Sequence, residues 1–185
     1  MNATQHIVCI QDLLDEWRAM GRQQLRSGAE LIAKVPMDDQ QAWMHVVFPP
    51  LDTGGIERLE RDLGTSLPRD LSALLRCCGG MTLFSGAFHL AGRRCPGIST
   101  GDDSLQPFDL VALNHELDVL GWKPKSAVAF AQNSWDLTVH VTGMDRSARD
   151  VVRCERTTGR VIEVHEDVFA CVAARVSRLD ELQLR

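Results

Sequence analysis

Apolar positions change their period near the middle of the chain. Leu14, Trp17, Leu25 and Ile32 recur near helical spacing, so residues 11–34 read as one amphipathic helix. Asp12 is placed to cap its start, Asp15 suits the first turn, and Pro36 ends it. Residues 35–54 read as a connector in which 42–48 forms a short extended piece before Pro49-Pro50. A second helix is expected from Gly54 to Leu63, with Ile56, Leu59 and Leu63 on one face and Gly64 as the stop. Leu67-Pro68 opens a third helix, because proline is tolerated at the first helical position. Leu71, Leu74, Leu75 and Cys78 form its buried face, Gly79-Gly80 ends it, and residues 81–89 read as extended.

The second half favours a period of two. Residues 108–113 suit either a strand or a helix start, residues 116–120 read as helical, and 127–131 as a buried strand. Leu137, Val139 and Val141 alternate with Thr138, His140 and Thr142, the pattern of a half-buried strand. Residues 151–156 and 160–165 flank a short hairpin turn at Thr157-Thr158-Gly159. Helical spacing returns over 167–182 through Val168, Cys171, Val172, Val176 and Leu179. The order predicts an α+β fold: a mostly antiparallel sheet packed by N-terminal helices and a C-terminal helix. At 185 residues the chain suits a single domain spanning 1–185, with enough surface to bury for one core.

Composition adds exclusions. Hydrophobic residues at 44% and charged residues at 24% rule out collagen-like, disordered and low-complexity classes. No apolar run approaches the ~20 residues of a membrane helix. The net charge of −5 argues against a general nucleic-acid binder. Residues 95–122 contain no Lys or Arg, yet carry Asp102, Asp103, Asp109, Glu116 and Asp118. That segment is either a solvated face or an electronegative surface for a basic partner. The first ten residues lack the signature of a signal peptide, so a cytoplasmic setting is expected. Cys9, Cys77, Cys78, Cys95, Cys154 and Cys171 contain no C-x-x-C pair and are expected to be free thiols.

Candidate chemistry is sparse. Cys77 and Cys78 fall at a helix C-terminus, where the dipole disfavours a thiolate. His115-Glu116 begins like a zinc-protease helix, but Val119 occupies the position of the second histidine. His89, His115, His140 and His165 are scattered, and Asp102-Asp103 lacks calcium-loop spacing. No phosphate-binding glycine loop or nucleophile elbow occurs, so no catalytic residue, metal or cofactor is expected. Trp135-Asp136, at a strand entry, is the pair singled out: either a Trp packed over the sheet edge or an aromatic anchor on a binding face. Trp43 and Trp122 pose the same alternative.

One block is recognisable. Residues 56–64, Leu67-Pro68-Arg69-Asp70-Leu71, Leu74-Leu75 and Gly79-Gly80 resemble the opening of the SUKH superfamily, which contains the yeast Smi/Knr regulators and many bacterial toxin-immunity proteins. Ile56, Glu60, Gly64, Leu67, Pro68, Gly79 and Gly80 carry the motif, although Cys78 stands where the family usually has Asn. Physically, Gly64 and Gly79 serve as helix stops needing positive φ, and Glu57 and Glu60 are solvated or pair with Arg61 and Arg58. The resemblance implies a non-enzymatic protein-binding module, foremost an immunity protein that neutralises a cognate toxin with a basic surface. Asp102, Asp103, Trp135 and Asp136 are its candidate contacts, with no nucleic-acid or membrane partner. The alternatives are a Smi/Knr-type regulatory scaffold and, from another class, a hydrolase or small-ligand-binding protein.

Overall fold

A computed structural model describes residues 12, 14–37, 40–94, 105–144 and 151–183. A helical segment, α1 (residues 14–18), leads into three strands, β1 (Arg22–Gln24), β2 (Glu30–Met37) and β3 (Gln40–Val47). Helices α2 (Thr53–Leu63) and α3 (Arg69–Cys77) follow, then β4 (Met81–Leu83) and β5 (Phe88–Leu90). Helix α4 (Leu110–Leu120) precedes β6 (Val128–Asn133), β7 (Thr138–Thr142), β8 (Val151–Glu155) and β9 (Val161–His165), and α5 (Val168–Gln183) closes the order. Among the described residues the nine strands form one sheet, antiparallel throughout, in which spatial order equals chain order. The α+β class with a C-terminal helix holds.

The N-terminal expectation is overturned. Residues 11–34 are not one helix: the described helix ends at residue 18, and β1 and β2 take up 22–24 and 30–37. Gly21 (φ +121°) and Gly28 (φ +85°) turn the chain where a helix would continue. Leu31, Ile32 and Ala33 are consecutive and all buried, which a strand covered on both faces allows and an amphipathic helix does not. The connector expected over 35–54 contains the end of β2, all of β3 and the start of α2; its extended piece at 42–48 belongs to β3. Leu25, Ala29, Leu31 and Phe48 form a small satellite core there.

Local chemistry explains the other elements. Asp52 caps α2 by accepting the Gly55 N–H at 2.6 Å, and Gly64 closes it at φ +69°. Asp109 caps α4 by accepting the Val111 and Ala112 N–H groups. Pro68 is the N-cap of α3, one position outside the helix. The period-two reading of β7 is half right: Val139 and Val141 are buried, but Thr138, His140 and Thr142 are buried as well, because α5 covers their face. On β6, whose register with β7 shifts between Ala129 and Ala131, the Asn114 side chain of α4 occupies both backbone groups of Ala129, at 2.7 and 2.9 Å. No helix among the described residues is long and apolar enough to cross a membrane.

Candidate functional site

The turn between β6 and β7, residues 134–137, lifts two large apolar side chains into solvent. Trp135 and Leu137 are each 63% exposed, whereas Trp17, Trp43 and Trp122 are half-buried. Trp135 is therefore not packed over the sheet edge. Trp122 donates its indole N–H to the Arg156 carbonyl at 2.9 Å, and Trp43 lies under the Lys34 ammonium, 5.5 Å from its ring centre.

The turn is held in one shape despite a local cost. Leu137 has φ +52°, a left-handed conformation that a branched residue adopts only under constraint. The constraint comes from Asp136. Its Oδ1 accepts the Thr138 hydroxyl at 2.6 Å, and its Oδ2 accepts Arg153 at 3.2 Å and Arg175 at 3.3 Å. Arg153 also donates to Glu163 at 2.9 Å, and Arg175 to Asn133 Oδ1 at 2.7 Å. Backbone bonds from Ser134 N–H to Ala87 and from Arg156 N–H to Leu137 tie the turn to neighbouring segments. Burial pulls the Arg175 guanidinium below its ordinary value, with the Asp136 charge opposing the shift.

Behind the turn this network runs inward to a cysteine. Arginine only donates, so Asn133 must turn its oxygen to Arg175 and its amide nitrogen to Thr138 (2.6 Å) and His140 Nε2 (3.0 Å). His140 Nε2 therefore accepts, and the neutral ring carries its proton on Nδ1, 3.0 Å from Cys171 Sγ. Burial, then the charges of Arg175, Arg153 and His165, push His140 down to about 3, and burial pushes the Cys171 thiol up. A catalytic Cys–His pair needs the ring nitrogen facing sulfur to accept a proton. Here that nitrogen already bears one, and both groups are buried, so the pair is a strut between β7 and α5.

The acidic segment expected over 95–122 is described only from residue 105 onward. Asp102 and Asp103 lie outside the described residues. The three described acids are engaged: Asp109 caps α4, Glu116 pairs with Arg156 (3.0 Å to Nε), and Asp118 with Lys123 (2.9 Å). Asp136 is flanked by two arginines. Two of the described acids thus meet bases that lie outside the segment in sequence.

The family-like motif proves architectural. Ile56 and Leu67 are buried, and Glu60, expected to be solvated or paired with an arginine, instead accepts the Leu67 N–H at 2.9 Å and sets the α2–α3 connection. Gly79 is not a positive-φ stop; the φ of +138° belongs to Gly80, and a Cβ on Gly79 would lie 2.2 Å from the Pro49 carbonyl oxygen. Cys77 is exposed, while burial pushes Cys78 up to about 12. A groove of about 310 Å³ beside α2, walled by Phe48, Pro49 and Pro107, brings Arg58 and Arg93 together. Among the described residues, no group of three or more His, Cys, Asp or Glu side chains is placed to hold a metal ion.

The sequence singles out Trp135 and Asp136, which the fold places on one turn, but not Asn133, Leu137, Thr138, Arg153 and Arg175 around them. Arg153 gave a usable signal: one charge inside the apolar run Val151-Val152-Arg153-Cys154 marks a paired interior position. Compared with known proteins, the chain matches no family model and no curated protein.

Proposed function

We propose that this chain is a protein-binding module whose partner docks on the 134–137 turn with Trp135 as its central anchor. The observation that carries the reading is the exposure of Trp135 and Leu137 on a turn whose shape is fixed by Asp136, Arg153 and Arg175. Tryptophan is the residue type most enriched among interface hot spots, and a pre-organised turn loses little freedom on binding. The sequence resemblance to SUKH immunity proteins supports a toxin as the partner, with a regulatory scaffold as the second member of the same class.

The test takes the protein encoded by the neighbouring gene, expressed with and without this chain. Protection of cells together with tight binding supports immunity, whereas binding without protection selects the scaffold. Trp135→Ala should weaken binding about 30-fold or more, the scale of a hot spot, while thermal unfolding stays unchanged. Unaltered affinity of the folded variant would move the interface away from the turn.

A further inference from the structure

The two margins of the sheet are built differently. A terminal strand leaves alternate backbone N–H and C=O groups unpaired, and folds protect such an edge with short strands and charge. The β1 margin follows that rule: three residues, Arg22, Gln23 and Gln24, all exposed and polar. The β9 margin does not. It has five residues and exposes Val161 (49%), Ile162 (44%) and Val164 (57%).

The register with β8 sorts these side chains. Val161 pairs with Cys154, Glu163 with Arg153, Val164 with Val152 and His165 with Val151, the register shifting by one residue between Arg153 and Cys154. Paired residues share a face and neighbours along a strand alternate, so Val161 and Val164 lie on one face and Glu163 and His165 on the other. Ile162, next to Glu163, joins the aliphatic face. The segment after the bulge, from Ile162 onward, is regular and, among the described residues, has no strand paired on its outer side.

We propose that β9 pairs antiparallel with β9 of a second copy of this chain, about a two-fold axis through Val164. This register sets Val164 against its own copy, with Ile162 of each copy on the diagonal beside it. It also sets Glu163 of each copy opposite His165 of the other. Moving the axis to Glu163 puts two carboxylates face to face, and moving it to Ile162 runs the pairing into the bulge. The alternation of charge thus selects one register.

The test uses the full chain. Sedimentation equilibrium should show a reversible dimer, and Val164→Lys, which opposes two ammonium groups at the axis, should raise its dissociation constant by about tenfold or more. Val164→Cys should give a disulfide-linked dimer on mild oxidation, because directly opposed Cα atoms lie about 4.5–5.5 Å apart, within disulfide reach. Val161→Cys, about 20 Å from its own copy in this register, should not. The unmodified chain, with its exposed Cys77, is run alongside. If Val164→Lys fails to fold, the two cysteine variants still decide. A chain that is monomeric at every concentration, or equal cross-linking of the two cysteine variants, overturns the proposal.

Discussion

Acid should unfold this protein through two buried imidazoles. His45 is fully buried between Trp17 and Phe84, at ring-centre distances of 5.3 and 4.8 Å. Its Nδ1 accepts the Phe84 N–H at 3.3 Å, and its Nε2 has no hydrogen-bond partner among the described residues. Burial pushes His45 down to about 4, and burial with neighbouring positive charge pushes His140 down to about 3. In the unfolded chain both return to about 6.5. Below that pH the unfolded state binds two protons that the folded state refuses. The stabilisation is complete above pH 6.5 and is lost as pH falls toward 4 and 3. Each proton changes the unfolding free energy by about 1.4 kcal/mol per pH unit, so the pair produces a slope approaching ~2.7. Between pH 6.5 and 5 the loss is about 3–4 kcal/mol, a large part of the ~5–15 kcal/mol that holds a domain together. Urea titrations followed by tryptophan fluorescence at pH 7.5, 6.5, 5.5 and 5 measure it. His45→Asn keeps an acceptor for the Phe84 N–H and removes one titrating group, so it should lower the slope by about 1.4 kcal/mol per pH unit whatever its own stability cost. A flat profile between pH 6.5 and 5, or an undiminished slope in the variant, would show that these imidazoles do not carry the acid sensitivity.

Two further outcomes follow from burial and backbone geometry. Among the four described cysteines, alkylation with peptide mapping should label Cys77 rapidly in the native protein, and Cys78, Cys154 and Cys171 only after unfolding; fast labelling of Cys171 would contradict the strut. Gly159→Ala should lower stability by ~1–3 kcal/mol, because the site has φ +70° and the new methyl would lie 2.5 Å from Trp122 ring carbons. An unchanged melting temperature would show that this contact relaxes freely.

What could be read in sequence was what neighbouring residues decide. Asp52, Gly64, Pro68 and the leucines between them fix α2 and α3 by caps and spacing alone, and both helices appear within a residue or two of where the pattern puts them. The N-terminal third misleads for the converse reason. Leu14, Trp17, Leu25 and Ile32 mimic a helical stripe, but β2 forms because β1 and β3 flank it, and the flanking strands are a tertiary fact. The same holds for charge. Glu116 looks uncompensated until Arg156, 40 residues later, folds against it, and Arg175 reaches Asn133 across 42 residues. Trp135 was legible as a candidate, but the left-handed Leu137 two residues on is announced by no local signal.

The strictly sequential order of the sheet bears on how the molecule comes to exist. Every strand finds its partner in the strand made just before it, so a chain leaving the ribosome can extend the sheet one strand at a time, without waiting for a distant segment. One face breaks that schedule. The buried polar side chains of Asn133 and His140 on β6 and β7 receive Arg175 and Cys171 only when α5, synthesised after β9, closes over them. Until then a growing intermediate carries a hydrated polar seam across a nearly finished sheet. Docking of α5 dries that seam and fixes the 134–137 turn in the same event, so the Trp135 anchor acquires its final shape only as the fold is completed.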